Sequence, residues 1–349
     1  MIDKKIDWYR TRLDPAALRG LTSRNNLKGL LRIGSFLLIF CCTTVVAVWL
    51  FLRQMWVPMV VVCFVHSVFL TFLSSAAGVH ELSHGTVLTN RKLNDFFYYV
   101  FCFLSWSNPV HFRASHAYHH QFTVYRGVDL EVIQGPVSQK LNWKNMIFWF
   151  TFNAPQFWRW MKVTFLHAAG RQEADYFSWA PLFDRNDSRR RPMMRFARAL
   201  LAGHFLLAVL FVCAHLWVLI YLVTFGVFFA NFLGAFCAAM QHTGLSESTP
   251  DWRVTCHTVE CGPVIRFLYW NMNYHIEHHM FAAVPFYNLP KLHGLVAPDF
   301  PVPQRSFRSM ILLLFRIKSR QRRNPAYVFV PDFPPTASPV RWSESTAPR

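Results

Sequence analysis

Charge is what this chain has least of. Only 15% of its 349 residues are Asp, Glu, Lys or Arg, against ~25% in a soluble domain. Acidic side chains are the scarcer sign, 18 against 36 Lys and Arg. The shortage is concentrated: residues 33–52, 56–77 and 199–240 carry no charged side chain at all. A span needs ~20 apolar residues to cross ~30 Å of hydrocarbon. The first two blocks are therefore one span each, and the third is long enough for two, 199–218 and 219–240, hinged near residues 218–221. Uncharged runs of this length exclude an ordinary soluble core. A disulfide framework is also missing. Cys41, Cys42, Cys63, Cys213 and Cys237 lie inside the apolar blocks and Cys102 in another apolar stretch, where cysteine acts as a small hydrophobe. Cys256 and Cys261 form a C-x4-C gap with no second pair nearby, short of a zinc site. Nothing resembles a nucleic-acid recognition fold, and the basic residues are dispersed rather than gathered in one stripe.

Four spans make two hairpins and put both termini on one side. Of the 36 Lys and Arg, 8 precede residue 33, 15 fall in 78–198, 12 follow residue 240, and only Arg53 lies on the opposite face. That is the positive-inside pattern, so the termini and the middle segment are expected in the cytoplasm. The +18 net charge suits anionic headgroups. The expected architecture is an all-α integral membrane protein with four transmembrane helices and a cytoplasmic cap. Residues 1–32 form a basic N-terminal segment in which Asp14-Pro15 marks a helix start. Residues 33–317 form the membrane domain. Residues 318–349, basic and then Pro- and Ser-rich, read as a disordered tail. The first apolar run is too long for a signal-peptide core and is expected to remain as a span. Stretches 95–106 and 148–160 are aromatic but too short to cross, and suit the interface.

What the chain has in quantity is histidine, 16 residues. His275, His278 and His279 form H-x-x-H-H, and His116, His119 and His120 repeat it. On a helix these positions fall within an arc of roughly 100°. His80 and His84 form a third pair at i, i+4. Each box follows a span or apolar hairpin on the cytoplasmic side, and His242 lies in the same layer. Nine imidazoles are too many for one metal; they suit two metals with four or five ligands each. Donor type alone leaves zinc, copper, nickel and iron open. Beyond the metal ligands no catalytic residue stands out. Glu81, Glu277, Asp129 and Glu131 are candidates to hold the outer nitrogens of ligating imidazoles. Asn271 and Asn273 either reach a metal, directly or through water, or cap the helix of the third box. His111, just before the second box, is a candidate outer donor. His66 and His204 sit alone in spans, where a polar partner is the default.

These boxes, in this order and between these spans, resemble the membrane fatty acid desaturase superfamily. The likeness covers roughly residues 33–295. The words Asn-Pro-Val-His-Phe-Arg-Ala-Ser-His and Asn-Tyr-His-Ile-Glu-His-His-Met-Phe are similar to bacterial-type acyl-lipid members, a branch that includes desaturases of small natural products. The first box is H-x-x-x-H as in acyl-lipid types, and the third begins with His rather than Gln. The resemblance implies a di-iron centre on the nine histidines with His242 as the extra ligand. It also implies dioxygen as co-substrate, an acyl-type or small hydrophobic substrate, and a bacterial inner or ER membrane. No His-Pro-Gly-Gly motif of a fused cytochrome b5 is present, so electrons are expected from a separate ferredoxin or cytochrome b5 type donor. The same ligands support hydroxylation, which is the alternative reaction. Two rivals come from other classes. His80-Glu81-Leu82-Ser83-His84 matches the H-E-x-x-H of zinc proteases with Glu81 as base, and a metal transporter would also use histidines, though at mid-membrane.

Overall fold

The computed structural model describes residues 6–74, 76–129, 131, 143–172 and 182–342. It is all-helical, with no strand among the described residues, only isolated bridges such as Thr258–Tyr274. Helix α1 (Pro15–Thr22) starts where Asp14-Pro15 directs it: the Asp14 carboxylate accepts from Ala17 N at 2.7 Å, and Pro15 occupies the first turn. Helix α2 (Asn26–Leu52) contains the first apolar block. A tight turn with Gln54 in the left-handed region leads into α3 (Trp56–Leu70). The two pack antiparallel, with Phe36 and Phe69 rings 4.9 Å apart.

Two helices are long and apolar enough to cross a membrane, Asn26–Leu52 and Arg190–Cys213, and Trp56–Leu70 is a shorter apolar helix. Only 22% and 17% of the apolar windows of the two long helices are buried, so most of each faces outward. Leu31, Leu38, Val45, Val57, Val61, Leu206 and Leu210 are among the exposed side chains. Exposed apolar side chains in this number along helices of this length are what membrane contact requires.

The boundaries differ from the hydropathy reading in three places. The second block does not stay helical to residue 77: α3 ends at Leu70, and turns lead to α4 (Gly78–His84). Gly78 is required there, because a Cβ would lie 2.6 Å from the Phe101 ring. The third block turns at residues 214–217, with His215 in the left-handed region, and not at 218–221. The stretch after that turn is not one helix but a π-helical turn (Ile220–Phe225), a 3-10 turn (Gly226–Phe228) and the helix Phe232–His242. Uniform apolarity hides such breaks. The backbone groups they release find partners: Leu222 O faces His66 Nε2 at 3.0 Å, and Thr224 O accepts from Trp106 Nε1 at 2.7 Å. His204, stacked between Phe103 and Trp106, meets Phe103 O and Thr224 Oγ1. Buried polar groups at membrane depth need such partners.

Helix α5 (Arg91–Leu104) and α6 (Pro109–Phe122) continue the chain over α4. The aromatic stretch 148–160 is two helices, Trp143–Phe150 and Ala154–Ala168, broken at Asn153. Residues 318–342 of the C-terminal segment depart from the expected disorder, and 343–349 lie outside the described residues. Residues 318–323 complete the helix Phe307–Arg323. The chain to residue 342 then runs along the cap: Phe329 N donates to Gly244 O, and the fully buried Arg253 donates to Ser338 O and Pro339 O.

Candidate metal centre

The first box fills α4, the second lies in the last three turns of α6, and the third forms the short helix His275–Met280. Each is placed by local chemistry. Helix α4 stops at Gly85, in the left-handed conformation at φ 68°. Helix α6 opens on Asn108, whose side chain accepts from Val110 N and His111 N, followed by Pro109. Asn273 anchors the third box by a reciprocal pair: Val259 N donates to Asn273 O at 2.9 Å, and Asn273 Nδ2 donates to Val259 O at 2.7 Å.

Together these elements gather the nine imidazoles into two groups. One holds His80, His84, His116, His120 and His278; the other holds His119, His242, His275 and His279. Within each group the nearest nitrogens lie within 4.8 Å of one another. Each H-x-x-H-H box is shared between the groups. The i, i+4 pair His116 and His120 joins the first group and His119 the second; in the third box His275 and His279 join the second and His278 the first. Helix geometry explains the split. Positions i and i+4 differ by roughly 40°, while i+3 points roughly 60° to the other side.

The nitrogens are arranged as ligands. Nε2 atoms of His84 and His116, His116 and His120, and His120 and His278 are each 3.1 Å apart, and those of His242 and His275 are 3.0 Å apart. Two donors at a right angle on a metal with ~2.1 Å bonds are separated by about 3.0 Å. Hydrogen bonding among the rings does not account for all of these contacts, since the one Nε2 lone pair of His116 cannot accept from both His84 and His120. His116 Nδ1 faces Glu131 Oε1 at 2.9 Å, His119 Nδ1 faces Asp129 Oδ2 at 2.8 Å, and His242 Nδ1 faces Thr255 O at 2.9 Å. Those partners accept only, so each Nδ1 carries the proton and each Nε2 presents a lone pair inward. His80 Nε2 is buried with no hydrogen-bond partner. Lone pairs converging in a buried place call for a cation. Burial, reinforced by neighbouring imidazoles, holds His80, His84, His120, His242, His275, His278 and His279 well below the ordinary imidazole range, hence neutral and able to ligate. The residues fit a pair of metal ions.

A match to the family model for fatty acid desaturase runs over residues 55–309, well over half of the chain. The chain belongs to the fatty acid desaturase family. It is therefore an oxidoreductase of the desaturase and hydroxylase type, membrane-associated, with a histidine-rich di-metal site. Nothing among curated proteins matches it.

The outer candidates sort themselves by contact. Glu81, buried, lies 3.2 Å from His80 Nδ1 and 3.6 Å from His278 Nδ1, on the side away from the converging lone pairs. Burial pushes its carboxyl up to about 8. That position does not suit the base of a zinc protease, which must face the open side of the metal. Asp129 and Glu131 hold His119 and His116. Glu277 does not reach a gathered imidazole; its carboxylate meets Thr258 Oγ1 and His293 Nδ1. Asn271 and Asn273 donate their amide N–H groups to Phe286 O and Val259 O and do not cap the His275–Met280 helix, which has no side-chain cap, while Asn273 Oδ1 is buried with no hydrogen-bond partner among the described residues. His111 packs its ring against His167, centroids 4.7 Å apart, outside both groups. Two contacts escaped the sequence reading: Thr123 Oγ1 is 3.1 Å from His279 Nδ1, and the Thr255 carbonyl holds His242. An oxygen acceptor within a few residues of a box was the available signal for Thr123.

Proposed function

We propose that this chain is an O2-dependent di-iron desaturase that introduces a C=C bond into an acyl chain or acyl-like molecule. The proposal includes a body of four spans in two hairpins, with both termini cytoplasmic. It assigns all nine gathered histidines as iron ligands, five on one ion and four on the other. The observation that carries it is the two converging sets of Nε2 atoms in a chain of this family. Bound iron supplies the chemistry that activates dioxygen to take hydrogen from an unactivated C–H. The chain's own residues do the rest. The imidazoles hold the ions through Nε2; Asp129, Glu131, Thr255 O and Thr123 fix ring orientation and tautomer through Nδ1. Burial of seven of the nine keeps bulk water away, and the outward-facing apolar helices support a substrate that arrives from the lipid.

Two substrate hydrogen atoms, two donor electrons and two protons from solution together reduce dioxygen to two waters, which is why a separate electron carrier is needed. Hydroxylation is the alternative outcome on the same ligands. The test is purified, reconstituted protein with metal analysis, dioxygen, a reduced carrier and a panel of lipids, read by mass spectrometry. Two irons per chain and a product lacking two hydrogens support desaturation. A product that gains one oxygen assigns hydroxylation instead, and full activity with no iron bound overturns the reading.

A further inference from the structure

The cap contains an aromatic path that ends on the four-histidine group. Trp8, half-buried in the N-terminal segment, stacks on Trp252 with ring centroids 4.3 Å apart and planes 6° from parallel. Trp252 is 3% exposed, and its indole N–H donates to Thr123 Oγ1 at 3.2 Å. Thr123 Oγ1 is 3.1 Å from His279 Nδ1 and donates its own proton to His119 O at 2.8 Å. With that proton committed, the hydroxyl's two lone pairs take the Trp252 N–H and the His279 Nδ1–H. Every step is a stack or a hydrogen bond, from the outer surface to a ring of the centre. Packing alone does not require an indole N–H aimed at this one hydroxyl.

The mouth of the path is cationic. Trp8 lies edge-on to Tyr125, centroids 5.7 Å apart. Arg10 and Arg12 follow it, exposed, and Arg126 follows Tyr125 with its side chain 80% exposed. Arg341 pairs with Asp7, and Arg126 with Glu247. Four cations against two anions favour an acidic partner, since complementary potentials steer association.

We propose that an acidic one-electron carrier docks over Trp8 and that electrons pass through Trp252 and Thr123 to the metal held by His279. This rests on the ligand assignment proposed above. Each transfer oxidises the carrier by one electron and reduces one ferric ion to ferrous; two transfers complete a turnover. Thr123 is a positioning residue that fixes the His279 tautomer and closes the path.

The experiment uses the full-length, iron-loaded protein in nanodiscs, mixed without oxygen with a reduced two-iron ferredoxin and, in a second arm, with the haem domain of a cytochrome b5. Trp8→Ala and Trp252→Phe should slow re-oxidation of the carrier by an order of magnitude, while reduction by dithionite stays at the wild-type rate. Trp8→Phe, which keeps the stack, should recover most of the loss. Independently of iron, Arg10→Glu with Arg126→Glu should weaken binding of the oxidised carrier to metal-free protein and flatten its salt dependence. Slowing with either carrier supports the path and assigns the carrier class. Wild-type re-oxidation rates in Trp8→Ala overturn it, placing electron entry at the half-exposed edge of His84 and His120. A wild-type chain that accepts electrons from neither carrier also overturns it. Dithionite-reduced wild type that never oxidises an acyl substrate would count against the desaturase reading and not against the path.

Discussion

Asp129→Asn separates the two halves of the proposed centre. The Asp129 carboxylate is 2% exposed and among its donors are His119 Nδ1 and Val124 N on Oδ2, both at 2.8 Å, and Glu131 N on Oδ1 at 3.0 Å. The amide keeps the shape. It best preserves the bonds by placing its oxygen at the Oδ2 position, because the reverse orientation sets its NH2 against two donors instead of one. His119 then keeps its tautomer, but loses the negative charge that makes its ring a stronger donor. Removing an outer partner of this kind lowers metal affinity about 10–100-fold, roughly 1.4–2.8 kcal/mol. His119 belongs to the four-histidine group alone, so the loss should be selective. Metal titration by calorimetry, with iron content after dialysis, should show one site unchanged and one weakened. Asp129→Ala should do more, because the buried Val124 N–H loses its acceptor at a cost of about 1–3 kcal/mol. Two wild-type sites in Asp129→Asn would refute the reasoning, and so would equal weakening of both.

His119→Ala and His278→Ala, one from each group, should each abolish turnover while circular dichroism in detergent stays that of the wild type; activity in both would sink the ligand assignment. Gly244→Ala should lower stability by roughly 2–4 kcal/mol, since Gly244 has φ +84° and a Cβ there would lie 2.4 Å from Ile317 Cγ2; an unchanged Tm would contradict that close approach. His293 contributes a pH dependence. Burial lowers its pKa, but the hydrogen bond and charge of Glu277 raise it more, leaving it above the ordinary value. The contribution is complete below the ordinary imidazole pKa of ~6.5 and is lost as pH rises through the folded-state value. His293→Gln should remove that slope from a Tm-versus-pH series, and a slope equal to the wild type's would reject the role of the pair.

The histidine sites were legible because the helical period acts on spacing alone: i, i+3 and i+4 histidines share a face whatever surrounds them. Their division was legible in principle too, since i+3 leans away from the i, i+4 pair. What spacing does not carry is which neighbouring box supplies the fifth ligand, because that depends on how α4, α6 and the His275–Met280 helix cross. Outer partners were half legible. Asp129 and Glu131 stand close after the second box and turn back onto it; Glu277 stands inside the third box but on the helix face turned to His293. Hydropathy located the apolar blocks but not their breaks, since residues 219–231 stay apolar through a π-turn, a 3-10 turn and Ala230 in the left-handed region. The C-terminal segment misled by composition: proline and serine suggested disorder, yet their carbonyls satisfy the buried Arg253.

The scarcity of acidic residues acquires a physical meaning at the centre. In the proposed centre two divalent ions would bring four positive charges into a place lined by neutral imidazoles, and neither gathered group includes a carboxylate among the described residues. Burying that charge without compensation is prohibitive. Two of the chain's 18 carboxylates stand one imidazole away, Glu131 on His116 and Asp129 on His119, and Glu81 beside His80 and His278 joins them only when it gives up the proton that burial favours. An imidazole between carboxylate and metal transmits part of the negative charge while keeping the carboxylate oxygens off the ion. The arrangement is uneven. Glu81 and Glu131 both serve the five-histidine group, and Asp129 alone serves the four-histidine group, whose other outer contacts are the neutral Thr255 carbonyl and Thr123 hydroxyl. With one ligand fewer around it, the ion in the four-histidine group should be the easier of the two to reduce, and it is the one on which the Trp252–Thr123 path ends.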